Sequence, residues 1–301
     1  MGNSLLAVRG INHKYIVVVG DVTGILYPLT STIKKITDNR NALRDFQRDY
    51  DQKYKKDILE KQNLDDFQRA VLISSISKST MKFYNQVKIL DVACNNINDS
   101  ADPNRLDDDW LFYFMDKAAL ISDEQMRNTW GLILAESCDN SEICSKTLIN
   151  TLSLMNKKQA ETFKCICKFR LANMNIPADD KDRISYYPVI FFGKNAYGYA
   201  NHGLTNRRIL ELEHLGLIDL DSNKEFVVYT DLLKLRDKKN SVEIIGDGKV
   251  EIGNITYTYD GFLLQKIIEN YYDSKIMEFD IQVWCHKGYQ VYRNGKKQNV
   301  E

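Results

Sequence analysis

The sequence is poor in the two residues that most often break secondary structure, with four prolines and fifteen glycines among 301 residues. Long flexible or proline-rich linkers are therefore not expected. The sequence also lacks an excess of either charge, because 41 lysines and arginines balance 41 aspartates and glutamates. This balance provides no global field that would favour nucleic acid, a membrane surface or an acidic partner. The remaining composition, 44% hydrophobic and 27% charged, is typical of a soluble globular protein.

Patterns for metal binding and membrane insertion are also missing from the sequence. The six cysteines match neither a disulfide framework nor a zinc site, and the four histidines form no pair at metal-ligand spacing. We therefore expect reduced thiols, no metal and no cofactor. The apolar segment Tyr15–Val19 is too short to span a bilayer, since Asp21 follows it closely. The sequence predicts a cytoplasmic protein with no membrane partner, and residues 1–28 fit either a short strand or a loop.

Helical periodicity dominates residues 31–98 and falls into two stretches. The first stretch, up to residue 58, is highly charged and has a sparse apolar row, as on an exposed helix. The second stretch has apolar residues at alternating spacings of three and four, which is the pattern of a heptad seam. The seam consists of Ile73, Ile76, Thr80, Phe83, Val87, Leu90, Cys94 and Ile97.

Two partners fit this seam. Packing against the preceding helix would give a long coiled-coil-like hairpin over about 31–98. Packing against the same helix of a second subunit would give a homo-oligomer. In that case the oligomer interface would be formed by Ile73, Ile76, Phe83, Val87, Leu90 and Ile97.

Helix-start signals recur after this stretch. Ser122 with Gln125, and Asn156 with Gln159, have the three-residue spacing of a capping box. The acidic run Asp107–Asp109 suits a further helix start, where carboxylates meet the positive end of the helix dipole. These signals predict a compact helical core.

Apolar residues between these signals are predicted to fill the helical core. The predicted core residues of this segment include Trp110, Phe112, Phe114, Met126, Trp130, Ile133 and Leu134. Gly131 and Ala135 lie four apart on the other side of the same helix, so a second helix backbone could approach closely there.

Strand patterns become frequent towards the C-terminus. A helix over about 203–215, followed by a hairpin of Leu217–Leu220 with Phe226–Tyr229, is typical of a winged-helix module. Val242–Ile245 and Val250–Ile252 alternate around an Asp-Gly turn and predict another hairpin. A further strand is predicted over residues 276–283, followed by a turn and a return strand through Val291.

These patterns together predict an α+β fold that is mainly α. The first domain, residues 1–176, would contain the hairpin of about 31–98 and a helical core over 104–171. The second domain, residues 177–301, would be winged-helix-like with mixed α and β structure. A composition shift near Pro177 marks the predicted boundary.

Basic residues interleaved with tyrosines near the C-terminus predict a nucleic-acid surface, since such residues can hold phosphates and stack bases. The candidate residues are Arg207, Arg208, Lys224, Lys287, Arg293, Lys296 and Lys297. Because the charges of this region balance, only weak, non-specific nucleic-acid binding is expected.

A metal-dependent nuclease-type toxin is an alternative, because four acidic residues lie on predicted strands. These residues are Asp247, Glu251, Glu278 and Asp280. The lysine that such nucleases place two residues after a strand carboxylate is missing, and alternating acids are common on the solvent face of a sheet. We therefore assign no catalytic residue.

Several motifs resemble a bacterial family known as domain-of-unknown-function family 2806. The motifs are Asn85–Ile89, Asp109-Trp110, Ser122–Met126, Trp130–Ala135, Ser145–Leu148 and Leu215–Ile218. The resemblance covers about two thirds of the chain, from about Phe83 onward. The chain departs from the family pattern after Ala135, where the usual Gly-Glu and Pro-Gly turn are replaced, and at Lys146, where arginine is commoner.

A more distant similarity to abortive-infection alpha proteins implies, by association, a role in defence against phage. We therefore expect a non-enzymatic binding or regulatory protein of bacterial antiphage defence. It would act through protein–protein contacts with a protein partner and as a homo-oligomer. A nucleic-acid-binding winged-helix protein and a nuclease-type toxin are the alternatives.

Overall fold

A computed structural model describes the chain from residue 48 onward, with gaps. The described residues are 48, 52–61, 63–98, 101, 106–140, 143, 145–174, 186–191, 199–221, 223–236, 240–268 and 274–300. The predicted strand or loop of residues 1–28 and most of the first hairpin helix lie outside these ranges. Within them, the prediction of a mixed fold of helices and antiparallel sheets is confirmed.

The chain divides into two compact units, Met1–Ser153 and Leu154–Glu301. The composition shift predicts a boundary further along, near residue 176. Strand pairing accounts for the earlier position, because Arg170–Asn173 pairs with Leu232–Arg236 and so belongs to the second unit. The domain limits given by the sequence remain predictions.

The described part of the first unit is helical. Residues 52–59 are helical, and they are followed by α1 (Asp66–Asn96), α2 (Asp108–Ala118), α3 (Glu124–Asp139) and α4 (Lys146–Leu154). Helix α1 packs mainly along α3 and also contacts α2. The predicted hairpin of α1 with residues 31–58 falls largely outside the described residues and stays a prediction.

Acidic side chains start three of these helices. Asp65 accepts a hydrogen bond from the Gln68 amide at 2.7 Å, and Gln68 accepts one from the Asp65 amide at 3.1 Å, which completes a capping box at α1. Asp107 caps α2 through the Trp110 amide at 2.9 Å, as the acidic run predicts. Carboxylate caps of this kind stabilise a helix by about 1 kcal/mol.

The prediction of a capping box at Ser122 is wrong by one residue. Helix α3 begins at Glu124, and its cap is Asp123, whose carboxylate accepts a hydrogen bond from the Met126 amide at 3.0 Å. The hydroxyl of Ser122 lies one residue too early to take this amide. The second predicted box is confirmed, because Asn156 and Gln159 exchange hydrogen bonds at the start of the helix Lys157–Cys167.

The core of the first unit is built around three aromatic rings in contact. Phe114 lies between Trp110 and Trp130, with ring centroids 5.2 and 5.1 Å away. The three rings are buried, as the sequence predicts. Phe112 is 46% exposed, so the prediction that it is a core residue is wrong. It lies two residues from both Trp110 and Phe114, and on a helix this spacing points it to another side.

Helix α1 approaches α3 closely at Gly131, as the small residues of α3 predict. A Cβ atom placed at Gly131 would lie 2.4 Å from Val92 Cβ and 2.8 Å from the carbonyl oxygen of Ile89. Two buried amides of α1 also fix α2, since Asn85 donates to the Ala119 carbonyl at 2.9 Å and Gln86 donates to the Met115 carbonyl at 3.0 Å. Glycine and these amides therefore hold α1, α2 and α3 in one register.

The second unit begins at the end of α4 and mixes helices with short strands. Its helices are α5 (Lys157–Cys167), α6 (Asn206–His214), α7 (Tyr259–Ile267) and α8 (Ser274–His286). Its strands are β1 (Arg170–Asn173), β2 (Tyr186–Pro188), β3 (Ile218–Leu220), β4 (Phe226–Val228), β5 (Leu232–Arg236), β6 (Ser241–Ile245), β7 (Val250–Gly253), β8 (Ile255–Tyr257), β9 (Gln290–Arg293) and β10 (Lys296–Lys297).

The largest sheet of the second unit has the strand order β10-β9-β6-β5-β1-β2 and antiparallel pairing throughout. Leu233 and Ile244 lie opposite each other and are buried, whereas the neighbouring pair of Lys234 and Glu243 is exposed on the other face. This alternation is that of a sheet with one face packed on a core. Helix α8 packs against β9.

Both predicted hairpins are wrong in their pairing. Strand β3 pairs with β8, and β4 pairs with β7, so β3 and β4 do not pair with each other as a winged helix requires. The Asp-Gly turn after β6 exists, with Gly248 at φ 75°, but it leads into β7 beside β4 rather than back along β6. Asp231 holds this turn by accepting hydrogen bonds from the amides of Gly246 and Gly248.

The predicted strand over residues 276–283 is also wrong, because this segment lies within helix α8. Met277, Asp280, Ile281 and Trp284 are buried, and their spacing of three, one and three is helical. Asp280 obscures this helical pattern in the sequence, because it is a polar residue at a buried position that polar residues rarely occupy. The return strand is confirmed as β9.

Candidate functional site

The first half of α1 stands out because no residue from Asp66 to Ser79 is buried. Burial begins at Thr80 and continues through the second half of the helix, where α3 and α2 pack against it. A helix stretch without buried contacts gains little from the core, so its sequence is free to serve another purpose. This stretch nevertheless carries large apolar side chains.

Five exposed residues form a row along this half of α1, which we call the α1 stripe. The stripe consists of Phe67, Val71, Ser74, Lys78 and Met81. Their spacing alternates between four and three residues, which keeps them on one side of a helix. Phe67 is 77% exposed, Val71 is 50% exposed and Met81 is 46% exposed. Large apolar groups exposed together in this way mark interaction surfaces.

The α1 stripe continues into the covered part of the helix. Asn85 and Val92 extend the same row, and they contact α2 and α3 through the Ala119 carbonyl and Gly131. One end of a single helix face is thus occupied by the chain itself, while its other end is exposed. The exposed end therefore has the geometry of a surface on which a further helix can pack.

The charges beside the α1 stripe are divided between its ends. Asp65 and Asp66 lie at the N-terminal end, where Asp66 makes an ion pair with Arg69 at 3.0 Å. Lys78 and Lys82 lie towards the other end and are exposed. The stripe therefore carries an acidic end and a basic end, about 18–24 Å apart along the helix.

The predicted oligomer seam lies on the side of α1 opposite to the α1 stripe. Phe83, Val87 and Leu90 are buried within the chain, so the prediction that they face a second subunit is corrected for these three residues. Ile73, Ile76 and Ile97 are half-buried, and the prediction stays open for them.

Among the predicted nucleic-acid residues, Lys287 is held by two carboxylates. Its Nζ lies 2.6 Å from Glu225 Oε2 and 2.8 Å from Glu251 Oε2. Burial acts to lower the pKa of Lys287, but its hydrogen bonds to the two carboxylates raise the pKa above its usual value. The hydrogen bond from Lys287 lowers the pKa of Glu251, whereas burial raises the pKa of Glu225. Lys287 therefore ties the end of α8 to the β4–β7 pair, and its charge is balanced by the two carboxylates.

Arg293 is also engaged within the chain. Its guanidinium lies 3.4 Å from Glu278 Oε1 and donates to Asn240 Oδ1 at 3.3 Å. These contacts link β9 with α8 and with the residue before β6. The basic tail is thus partly neutralised by acidic residues distant in sequence, which its local sequence does not show.

The remaining predicted basic residues lie at separate places on the second unit. Arg207 pairs with Glu211 at 3.3 Å on α6, and Arg208 donates to the Gly203 carbonyl at 2.9 Å. Lys224 is exposed in the loop before β4, and Lys296 and Lys297 are exposed on β10. The structure therefore leaves the three lysines as the exposed cations of the predicted set that have no ion pair among the described residues.

The carboxylates of the nuclease alternative do not lie together on strands. Glu251 is on β7 and Asp247 is in the turn before it, whereas Glu278 and Asp280 are on helix α8. Asp280 is completely buried, and its Oδ1 accepts a hydrogen bond from the Tyr199 hydroxyl at 3.0 Å. Burial raises the pKa of Asp280 well above its usual value. Burial therefore favours the neutral form of the Asp280 carboxyl in the core.

Three of the described thiols have a raised pKa, which disfavours the reactive thiolate. Burial raises the pKa of Cys167 to about 12, and burial also raises the pKa of Cys165 and Cys285. In the described ranges, no group of three or more His, Cys, Asp or Glu side chains is placed to hold a metal ion. The same ranges contain no helix that is both long enough and apolar enough to cross a bilayer.

Sequence reasoning missed the α1 stripe because two of its five positions, Ser74 and Lys78, are polar. The apolar seam on the opposite side of the same helix is stronger, and it alone is enough to explain the helical periodicity of this segment. The four–three spacing from Phe67 to Met81 is the signal that could have identified the stripe.

The fold and the α1 stripe define an α+β protein with a long helix exposed over its first half. The chain belongs to the family described as "Protein of unknown function (DUF2806)", whose family model matches residues 76–275. Comparison with curated protein sequences gave no match, and comparison with solved structures gave none.

Proposed function

We propose that this protein is a non-enzymatic binding protein that acts through protein–protein contacts made by the α1 stripe. The observation that carries the proposal is the exposure of Phe67, Val71 and Met81 on a helix segment without a buried residue. Each such side chain contributes about 1.5–3 kcal/mol when it is removed from water. A protein partner provides the apolar surface that this gain requires, whereas a nucleic-acid backbone does not.

The biological setting of this proposal is bacterial antiphage defence of the abortive-infection type. The support for this setting is the distant similarity of the chain, through the Trp110 and Trp130 segments and the motifs around them, to the abortive-infection alpha proteins. A regulatory role in defence needs a surface that meets a partner, and the α1 stripe supplies one.

Two substitutions test the proposed function in cells that carry the gene. Val71→Asp places a charge in the α1 stripe without touching the core, so abundance should stay unchanged. The matched control is Leu154→Asp, which alters another exposed leucine, 74% exposed at the end of α4. We expect the wild type and Leu154→Asp to lower phage plating, and Val71→Asp to lose this protection.

Two results would count against the proposal. Equal protection by Val71→Asp at equal abundance would show that the α1 stripe is not the surface through which the protein protects cells against phage. No protection by the wild-type gene against a broad phage panel would remove the defence setting.

Weak nucleic-acid binding is the second candidate function, because Lys224, Lys296 and Lys297 are exposed. The engagement of Lys287 and Arg293 with acidic side chains reduces the number of cations available for this function. Among the described residues, no cluster of carboxylates supports the metal-dependent nuclease-type toxin, and we do not propose it further.

A further inference from the structure

The α1 stripe has large apolar side chains at its ends and a small one at its centre. Large apolar residues, Phe67 and Met81, lie at its two ends, and the small Ser74 lies at its centre. A small residue at the centre of a helix face lets a second helix backbone approach closely there, as α1 itself approaches α3 at Gly131. The sequence of the stripe therefore suits a crossing of two helices near Ser74.

We propose that the α1 stripe binds the α1 stripe of a second copy of this chain, with the two helices antiparallel and a two-fold axis near Ser74. The inference rests on the proposed function, since it names the partner of the surface identified there. Such an interface is isologous, so each contact occurs twice.

Side-chain chemistry favours the antiparallel over the parallel arrangement. In the antiparallel pair, Phe67 of each copy lies at the end where the partner carries Lys78 and Met81. Thioether sulfur and ammonium groups both pack favourably on an aromatic ring. In a parallel pair, Lys78 would face the partner's Lys78, and like charges at one position repel.

The charges at the two ends give a second, independent argument. The antiparallel arrangement brings the acidic end, Asp65 and Asp66, next to the partner's basic end, Lys78 and Lys82. The ion pair of Asp66 with Arg69 leaves the Asp66 side chain exposed, so its carboxylate is accessible to a second cation. Electrostatic complementarity of this kind sets the orientation of an interface.

The size of the stripe sets the expected strength of the pairing. The exposed segment spans about 14 residues, or about 21 Å of helix. Two such segments bury an area at the lower end of specific interfaces, about 1,000 Å². We therefore expect a reversible dimer with a Kd in the micromolar range.

Sedimentation of the full-length protein at increasing concentration measures this Kd. The double substitution Lys78→Glu with Lys82→Glu places four acids together at each end of the dimer and should raise the Kd at least about tenfold. Adding Asp66→Lys to that variant restores opposite charges and should recover at least part of the affinity. Circular dichroism of each variant confirms that α1 stays folded.

A cysteine introduced at the axis tests the geometry separately. Ser74→Cys faces its own copy across the axis, so mild oxidation should give a covalent dimer above the background of the wild-type cysteines. The control is Ser75→Cys, which is also exposed but lies about 100° further round the helix. Equal cross-linking of the two variants would overturn the two-fold axis near Ser74.

The remaining outcomes separate this inference from the proposed function. A monomeric wild type up to about 100 µM would overturn self-pairing, and the proposed function would still stand if Val71→Asp abolished protection. A dimer that is insensitive to the charge substitutions and to Val71→Asp would place the contact elsewhere and overturn the inference. A dimer that is sensitive to the charges, together with full protection by Val71→Asp, would retain the pairing and remove the proposed function.

Discussion

At the scale of single residues, burial rather than residue type decides what each aromatic and acidic side chain does. Trp130 is completely buried and contacts the Phe114 ring, whereas Phe112 on the same α2 helix as Phe114 is 46% exposed. Asp280 shows the opposite case of an acidic residue placed in a core. These three positions lead to two predictions.

Trp130→Ala should destabilise the first unit by about 3–5 kcal/mol, because it removes a buried ring and leaves a cavity. The indole Nε1 of Trp130 has no hydrogen-bond partner among the residues that the structure describes, so the loss is one of packing. Phe112→Ala is the control and should change stability by less than about 0.5 kcal/mol. Denaturant unfolding of the two variants measures the difference. Similar midpoints for both variants would show that the core assignment is wrong.

Asp280→Asn should alter the pH dependence of stability. The pKa of Asp280 is raised in the folded state, so the stability it contributes is complete below its unfolded pKa of about 3.9 and is lost as pH rises towards the folded pKa. Asparagine cannot ionise, and its carbonyl can still accept the Tyr199 hydroxyl. The melting temperature of the variant relative to the wild type should therefore rise from about pH 5 to pH 8. A constant difference over this range would show that Asp280 is ionised in the folded protein.

At the scale of helices and strands, several local signals are predicted correctly from the sequence, whereas the cap at Ser122, the strand over residues 276–283 and the pairing of distant strands are not. The cap at Asn156, the helix break at Gly216 with φ 70° and the close approach at Gly131 follow from nearby residues. Strand β3 pairs with β8 and β4 pairs with β7, and both partners come only after β5 and β6 in the chain. Alternation shows that a strand exists, but it does not show which strand lies beside it.

The candidate site shows the same limit. Sequence spacing identifies α1 and its stronger seam, but only the structure shows which half of each face is covered. It also shows that Lys287 and Arg293 are neutralised by Glu225, Glu251 and Glu278, none of which is close in sequence to its partner. Long-range contacts therefore account for most of what the sequence missed.

Gly131→Ala should destabilise the contact between α1 and α3. Alanine is a better helix former than glycine by about 1 kcal/mol, but its Cβ would lie 2.8 Å from the Ile89 carbonyl oxygen and 2.4 Å from Val92 Cβ. The clash should exceed the gain in propensity. The control Ser75→Ala, at an exposed position of α1, should leave stability unchanged or slightly higher. Thermal unfolding measures both variants, and a higher melting temperature for Gly131→Ala would contradict the close packing described.

At the scale of the whole molecule, balanced charge and an exposed apolar helix favour protein partners over nucleic acid. If Lys224, Lys296 and Lys297 neutralise three phosphates, log affinity for duplex DNA should fall with log salt at a slope of about −3. Replacing Lys296 and Lys297 by alanine should flatten the slope by about two units without changing sequence preference. Titrations at several salt concentrations measure the slope. A slope steeper than about −5 would require Lys287 and Arg293 to contact phosphates as well.

The central claim, that another protein surface covers the first half of α1, is tested most directly by amide hydrogen exchange at several protein concentrations. Exchange in peptides covering residues 66–82 should slow as concentration rises through the Kd, because pairing stabilises this half of the helix. Peptides from α3 should exchange at the same rate throughout, and Val71→Asp should remove the concentration dependence in α1. Exchange in residues 66–82 that is the same at every concentration, in wild type and variant alike, would contradict the claim.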